Sequence, residues 1–168
     1  MINIQNFHSE TVTPDYVYHP INAFHLLKRT SKWMPKIKLK IPNLKFNYNL
    51  RFLIDDYLHA HHGLAELHEY YELDPIEIAN SEIKDLISGK VYKTNSQLDS
   101  SDLIQIAKEA KNSKYLDGYV NWLNAALTKA EEETKDSKYI TKLRYKTLNL
   151  YVFVAEITFY RISISGNQ

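Results

Sequence analysis

The sequence predicts an all-α protein, in which a long connector helix is followed by a bundle of helices. Four stretches carry apolar residues at the three-and-four spacing of a helix face, and none shows the alternation and tight turn of a β-hairpin. The 168 residues include only four glycines and five prolines, so turn signals are few. With 44% hydrophobic residues, the chain can bury a core as one domain or two small ones.

Composition excludes several classes of protein. The chain has no cysteine, which excludes disulfides, thiolate catalysis and zinc–thiolate sites. No signal peptide is visible in residues 1–20, and no stretch is apolar enough to predict a membrane partner or span. The net charge is +1, but every formal charge in residues 16–51 is basic and every one in residues 52–83 is acidic. Two such blocks attract each other, within one chain or across a dimer.

The longest predicted helix runs from Asn49 to Leu73. Its apolar positions form one face about seven turns long: Leu50, Leu53, Ile54, Tyr57, Ala60, Leu64, Leu67 and Tyr71. Asp74-Pro75 follows, and a proline there fits the first turn of a new short helix. The long helix is therefore predicted to connect an amino-terminal assembly region, residues 1–74, with a second region, residues 75–168.

The amino-terminal region is predicted to begin with an arm, residues 1–18, of mixed polar composition. A short helix is predicted from Ile21 to Met34, and Pro35 and Pro42 are expected to stop regular structure after it. The segment 36–47 alternates basic and apolar residues. A lone strand would have no partner there, so we favour a loop.

The second region predicts a polar connector and three long helices. The connector is Lys90–Leu98, after which Ser100 or Ser101 is expected to cap a helix that ends at Asn112-Ser113. Two further helices are predicted over 115–133 and 138–160. Core-facing positions are predicted at Leu103, Ile106, Ala107, Ala110, Leu116, Val120, Leu123, Ala126, Leu127, Leu143, Leu150, Val154 and Ile157.

The long helix carries four histidines that are candidate metal ligands, because imidazole commonly binds zinc or copper: His59, His61, His62 and His68. Adjacent His61 and His62 point about 100 degrees apart on a helix. No His-Glu-x-x-His motif is present. We predict a partly exposed histidine-rich face and no metal site.

Aromatic residues suggest two other kinds of binding. Tyr115 and Tyr119, with Trp122 one turn on, have the spacing of a platform for a proline-rich peptide, but the same spacing suits core aromatics, which we favour. Trp33, Phe46 and Tyr48 accompany the basic stretch in a way that would suit nucleic acid. The chain lacks RNP-like patterns and an overall basic balance, so no nucleic-acid partner is predicted.

Three motifs stand in order over about residues 18 to 160. The first is Pro20–Arg29, PINAFHLLKR, with Trp33 after it; the second is Tyr71-Glu72-Leu73-Asp74; the third is Asp102–Leu127, which ends in Trp-Leu-x-x-Ala-Leu. Together they resemble the amino-terminal region and peptide-substrate-binding domain of collagen prolyl 4-hydroxylase alpha subunits, with the first motif similar to insect members.

The resemblance implies a tetratricopeptide-like helical hairpin whose tyrosines stack on proline rings. Family groove positions fall at Lys111, Asn149, Leu150 and Phe153 in this chain, which replace three tyrosines and an aspartate. With Tyr115 and Tyr119 these residues make up the candidate peptide site. A final helix of the family groove is expected beyond Gln168. The resemblance therefore implies a groove that is altered and truncated, and a proline-rich or collagen-like peptide that binds weakly or not at all.

The family's catalytic chemistry is not expected in this chain. Full-length relatives use Fe(II), 2-oxoglutarate and ascorbate in the endoplasmic reticulum lumen, with His-x-Asp and a distant histidine in a separate domain. The one His-x-acid pattern here, His8-Ser9-Glu10, lies in the predicted arm and is not expected to bind metal. We predict no catalytic residues and no cofactor in this chain, and a role in assembly, through self-association or an alpha-subunit partner, and in peptide recognition. The alternative is a helical interaction scaffold that binds no proline peptide.

Overall fold

The computed structural model describes residues 18–40, 50–85, 87–133 and 136–165. These residues form six helices and one two-stranded antiparallel sheet: α1 (Pro20–Lys40), α2 (Leu50–Tyr71), α3 (Pro75–Ala79), β1 (Glu82–Lys84), β2 (Val91–Lys93), α4 (Ser100–Asn112), α5 (Leu116–Glu133) and α6 (Ser137–Ser165). The all-α prediction is confirmed, because the sheet contributes only two strands of three residues each. The predicted arm with His8-Ser9-Glu10 falls outside the described residues.

Helix α1 runs further than predicted, because it passes through Pro35 and ends at Lys40. The prediction that Pro35 stops the helix is therefore wrong, and so is the loop over residues 36–40; residues 41–47 lie outside the described part of the chain. A proline inside a helix forfeits one hydrogen bond and costs about 3 kcal/mol, but it does not oblige the helix to end. The other backbone hydrogen bonds of this 21-residue helix offset that local cost.

Helix α2 packs against both α1 and α4, and its buried face differs from the predicted one. His61, Leu64 and Ala65 are buried, whereas Ile54 and Tyr71 are exposed. The prediction of a partly exposed histidine face is wrong for His61, since a helix held between two neighbours buries a wider arc than one apolar stripe. At the end of α2, Asp74 accepts a hydrogen bond from the Ile76 N–H at 2.7 Å and caps α3, as predicted for the proline that follows.

The sheet occupies part of the predicted connector. Strand β1 pairs with β2 in the register Ile83 opposite Tyr92, so the connector prediction is wrong for Val91–Lys93. The turn between the strands is held by Asp85, which accepts hydrogen bonds from the Ile87 N–H at 2.9 Å and the Ser88 hydroxyl at 2.6 Å. Three-residue strands are too short to show a readable alternation.

Helices α4 and α5 form an antiparallel pair at the centre of the core. The four predicted core positions of α4 are all buried, and Trp122 and Leu123 of α5 are fully buried beside them. The cap of α4 is Asp99 rather than Ser100 or Ser101. One hydrophobic cluster runs from Ile21 of α1 to Leu143 of α6, across the predicted division at residue 74. That division stays a prediction.

Candidate functional site

A charged network joins the amino-terminal helix to the start of α4. Lys28 Nζ lies 2.8 Å from Asp99 Oδ2 and 2.7 Å from Asp102 Oδ2. Asp102 is 2% exposed, and it also completes a capping box in which Asp99 Oδ1 accepts a hydrogen bond from the Asp102 N–H at 2.9 Å. Burial by itself lowers the pKa of Lys28, but its hydrogen bonds to both carboxylates outweigh burial and raise that pKa. The network therefore ties α1 to the start of α4.

Aromatic rings surround this network. The Tyr57 hydroxyl points to Asp102 Oδ1 at 3.4 Å, and burial raises the pKa of Tyr57 to about 12. His61 packs edge-on against Phe24, with ring centroids 4.9 Å apart, and its Nδ1 lies 2.8 Å from the Tyr57 carbonyl oxygen. Burial lowers the pKa of His61, so the neutral imidazole is the form that fits. His25 reaches the Gln97 carbonyl oxygen at 2.9 Å from the same side of α1.

Two of the candidate peptide residues meet where α4 turns into α5. Lys111 is exposed, and its Nζ lies 5.7 Å from the centre of the Tyr119 ring. Tyr119 itself is buried, and burial raises its pKa. The arrangement presents an ammonium group above a largely covered ring, rather than a ring face open to a ligand.

The neighbouring aromatics differ in exposure. Tyr115 is half-buried and contacts the exposed Tyr70 of α2, a hydrogen bond that raises the pKa of Tyr115. Trp122 is fully buried and packs edge-on against His68, with ring centroids 5.8 Å apart. A methyl group on Gly118 would lie 3.3 Å from the His68 ring, so this glycine permits the close approach of α2 and α5. Of the proposed platform, Tyr115 alone remains partly accessible.

The remaining candidates lie on α6. Asn149 is exposed, whereas the side chains of Leu150 and Phe153 fall outside the described residues. Burial, and then the positive charges of Lys108 and Lys111, lower the pKa of Lys146 on this helix. Within the described part of the chain, Lys111 and Lys146 form no ion pair. The face between α4 and α6 is therefore cationic, a property that attracts carboxylates rather than proline rings.

The histidines of α2 point to different surroundings. His62 lies 3.3 Å from Glu66 and 3.2 Å from the Ser113 hydroxyl, while His68 contacts the Leu73 carbonyl oxygen. Among the described residues, no group of three or more histidine and carboxylate side chains is arranged to hold a metal ion. These residues therefore do not fit the iron that the resemblance implies for a full-length relative, and we assign no step to it.

A second concave surface, which we call the hairpin groove, lies between the β-hairpin, the start of α1 and the end of α2. Its volume is about 1030 Å³. Its walls are mostly apolar and include Leu67, Leu73, Ile83 and three tyrosines, Tyr18, Tyr71 and Tyr92. Lysines stand around it, and Lys90 Nζ lies 4.7 Å from the centre of the Tyr92 ring. This groove is not predictable from the sequence patterns above, because it depends on the unpredicted hairpin.

The Lys28 network was not predicted from the sequence either. One signal was available: Asp99 and Asp102 have the three-residue spacing of a capping box. The lysine that joins them comes from more than 70 residues earlier, at separations of 71 and 74 residues. No local pattern predicts a contact over that distance.

The chain resembles known proteins over most of its length. A family model described as the prolyl 4-hydroxylase alpha-subunit, N-terminal region, matches residues 2–85. The curated prolyl 4-hydroxylase subunit alpha-2 of Caenorhabditis elegans is 28% identical over 142 residues, which cover 77% of this chain and 25% of that relative. The chain thus spans about a quarter of the length of the relative it matches. No solved structure matches, and none of the described helices has the length and hydropathy needed to cross a bilayer.

Proposed function

The chain belongs to the family of prolyl 4-hydroxylase alpha-subunit N-terminal regions, and we propose that it supplies subunit assembly and peptide recognition without catalysing a reaction itself. Proline hydroxylation with Fe(II), 2-oxoglutarate and ascorbate would belong to the remainder of a full-length relative. By the same resemblance, the site of action would be the endoplasmic reticulum lumen. The α4–α5 pair with α6 would be the tetratricopeptide-like part.

One observation carries the proposal: the family-matched residues and the helical pair that follows them share a core and a charged network. Lys28 lies within the matched residues 2–85, and its partners Asp99 and Asp102 lie beyond them. A peptide-binding helical pair joined in this way to an assembly region would keep a defined orientation to it. The shared core and the charged network support the proposal that assembly and peptide recognition belong to one structural module.

The assembly surface that we propose lies on the outer side of α2. Ile54 and Leu58 are exposed, and their four-residue spacing places them on one helix face. The acidic block of α2 and the basic block of α1 would steer a second copy of the chain onto this face at low salt.

Sedimentation velocity at low and high salt tests self-association. We expect a dimer at tens of micromolar in low salt, a smaller dimer fraction in high salt, and a monomer for the double variant Ile54→Asp with Leu58→Asp. Leu148 is also exposed, on α6, so Leu148→Asp is the control and should leave the dimer intact. A monomeric unmodified chain at low salt would rule out this assembly.

Peptide recognition is proposed to be weak or lost. Aromatic contacts are worth about 0.5 to 1.5 kcal/mol each, so replacing three family tyrosines by Lys111, Leu150 and Phe153 would remove about 2 to 3 kcal/mol. That loss weakens binding roughly 30- to 150-fold. The cationic surroundings of Lys111 support the proposal, because an ammonium group gives a proline ring no stacking surface.

Calorimetry with a polyproline peptide tests the groove. We expect no measurable binding at micromolar concentrations for the unmodified chain, and partial recovery for Lys111→Tyr with Leu150→Tyr. The control is Lys142→Tyr with Leu148→Tyr, which adds two tyrosines at exposed positions of α6. Micromolar binding by the unmodified chain would show that the groove was assigned to the wrong residues.

The second candidate function is an interaction scaffold that binds no proline peptide. Burial of Tyr119 and Trp122 favours it, because these rings offer no open surface. Failure of the tyrosine variant to recover any binding, together with intact self-association, would select this alternative.

A further inference from the structure

The hairpin groove is used neither by the proposed assembly nor by the proposed peptide site, and it lies at the opposite end of α2 from Ile54. Large side chains that line it are exposed: Tyr18, Tyr71, Ile87 and Tyr92. Its volume of about 1030 Å³ is at the upper end of the range for small-molecule sites. A concavity of that size with its rings open to solvent suits a chain segment that brings several side chains.

The strand register decides which side chains of the hairpin face the groove. Ile83 pairs with Tyr92. The Asp85 N–H donates a hydrogen bond to the Lys90 carbonyl oxygen at 2.8 Å, which continues the same register. Side chains alternate between the two faces of a sheet, so Ile83, Tyr92 and Lys90 lie on one face. All three line the groove, and this side of the hairpin therefore combines apolar surface with a cation.

Positive charge prevails around the groove. Lys84, Lys90 and Lys93 line it, against one carboxylate, Asp85. Asp85 accepts hydrogen bonds from the residues that follow it in the turn. Lys93 pairs with Glu82, whereas Lys84 and Lys90 form no ion pair within the described part of the chain. The charge of the groove therefore favours a ligand that carries carboxylates.

Main-chain groups are available at the outer edge of β2. Residues of an antiparallel pair alternate between positions bonded to the partner strand and positions whose N–H and C=O point away from it. Because Asp85 and Lys90 are a bonded pair, the next residue, Val91, is of the second kind. Val91 is exposed, and Tyr92 and Lys93 beside it line the groove. An extended segment can therefore bond to this edge and place its side chains in the groove.

We propose that the hairpin groove binds an extended acidic segment of a partner protein, one that carries carboxylates and large apolar side chains. The apolar side chains pack on the exposed rings of Tyr71 and Tyr92, and the carboxylates approach Lys84 and Lys90. Exposed rings and unpaired lysines around one concavity make this combination more favourable than a purely apolar or a basic segment. The proposal does not rest on the proposed function, because other residues build the groove.

Fluorescence anisotropy of the full chain with a labelled octapeptide that alternates glutamate and valine tests the proposal. We expect saturable binding that weakens as salt is added, because salt screens exposed charges. The same peptide with glutamine in place of glutamate should bind about fivefold more weakly. An absence of saturable binding, or equal binding of the two peptides, would overturn the proposal. A polyproline octapeptide that displaces the labelled peptide at a lower concentration than the unlabelled glutamate peptide would also overturn it, because the tyrosines alone would then be the recognition element.

Charge-reversal variants locate the bound peptide. Lys84→Glu with Lys90→Glu should weaken binding about fivefold. Lys138→Glu with Lys142→Glu makes the same change at exposed positions of α6 and should leave the affinity unchanged. Undiminished binding by the Lys84/Lys90 variant would overturn the proposal. Circular dichroism confirms the fold of each variant.

The cationic face between α4 and α6 is the competing location for an acidic peptide. Lys108→Glu with Lys146→Glu reverses two charges of that face. Loss of binding in this variant, with binding retained when the hairpin lysines are reversed, would place the peptide there and overturn the proposal.

Aromatic variants test the apolar half of the recognition. Tyr71→Ser should weaken binding about fivefold, because Tyr71 lines the groove with an exposed ring. Tyr70→Ser is the matched control: the adjacent Tyr70 is also exposed, and it is not part of the groove wall. Equal effects of the two variants would overturn the proposal. Sedimentation with saturating peptide tests a second copy as the occupant: a dimer that dissociates as the peptide binds would place the groove in the self-association interface and overturn the proposal.

Discussion

Lysines play different parts at the two ends of α4. At its amino-terminal end, Lys28 meets two carboxylates and its pKa is raised. Near its carboxyl-terminal end, burial and then the positive charges of Lys108 and Lys111 lower the pKa of Lys146. The first arrangement pairs a cation with carboxylates, one of them buried; the second places positive charges near one another.

The difference separates structure from binding. A cation held by two carboxylates, one of them fully buried, has no capacity left for a ligand, so Lys28 is a structural residue. Lysines that lie near one another attract anions, so this cluster keeps its capacity for a ligand. Lysine thus pairs with carboxylates at one end of α4 and belongs to an unpaired cluster of positive charge at the other end.

The largest expected effect follows from removing the positive charge of Lys28. Lys28→Met leaves the buried Asp102 carboxylate without its cation and should lower the free energy of unfolding by about 3 kcal/mol, measured by urea denaturation. Lys32→Met makes the same change at an exposed position of α1, and it should alter stability by less than about 0.5 kcal/mol. Equal effects of the two variants would contradict the structural role of Lys28.

Acid should weaken the α1–α2 contact through His61. Its folded-state pKa lies below 6.5, so below that pH the unfolded chain binds a proton that the folded chain does not, and stability falls as pH drops. The slope for one proton cannot exceed about 1.4 kcal/mol per pH unit. His61→Leu should flatten the fall between pH 7 and 5, measured by denaturation at each pH.

The control for that measurement is His59→Leu, at an exposed position of the same helix. It should keep the slope of the unmodified chain. A residual slope is expected in the His61 variant, because burial also lowers the pKa values of His19 and His25. An unchanged slope in the His61→Leu variant would show that His61 protonates freely in the fold.

A further loss of stability is expected at lower pH through Asp99. Burial raises its pKa, but hydrogen bonds from Lys28, Ser101 and the Asp102 N–H outweigh burial and hold the pKa at about 2. The stability that these contacts supply is present above pH 3.8 and is lost as pH falls toward 2. Lys28→Met should reduce this acid dependence, as seen by the difference in thermal midpoint between pH 4 and pH 2.5. An identical dependence in both proteins would assign it to other carboxylates.

The smallest effect should come from the cluster of Lys108, Lys111 and Lys146. Lys146→Glu replaces repulsion by attraction to Lys108 and Lys111, and it should raise stability by about 0.5 kcal/mol at low salt, with the gain disappearing at high salt. Lys138→Glu, an exposed residue in the same helix, provides the comparison. Destabilisation by Lys146→Glu would show that the three lysines do not act on one another.

Helical periodicity was the most reliable signal in this sequence. It correctly predicted all four core positions of α4, and the ends of α2 and α5 to within two residues. Helix formation depends on bonds between residues four apart, so the information is local. The local signals at Pro75 and Asn112 also correctly predicted helix termini: Pro75 is the first residue of α3, and Asn112 is the last residue of α4.

The wrong predictions concern features that distant residues or weak local signals determine. Pro35 did not end α1, and the hairpin appeared in a stretch without alternation. His61 was placed on a partly exposed face because its burial depends on Phe24 of another helix. The peptide-groove assignments at Lys111, Tyr115, Tyr119, Asn149, Leu150 and Phe153 stay predictions, to be decided by binding measurements.

The sequence by itself therefore determined the helical class, the order of its main helices and the family, since each depends on short-range spacing or ordered motifs. Only the tertiary structure decided which lysine is neutralised and which repels its neighbours, which rings are covered, and where a groove opens. Those properties depend on side chains brought together across the fold, such as Lys28 and Asp102 at 74 residues' separation. The charge state and the burial of a side chain depend on such neighbours, and the local sequence does not specify which neighbours those are.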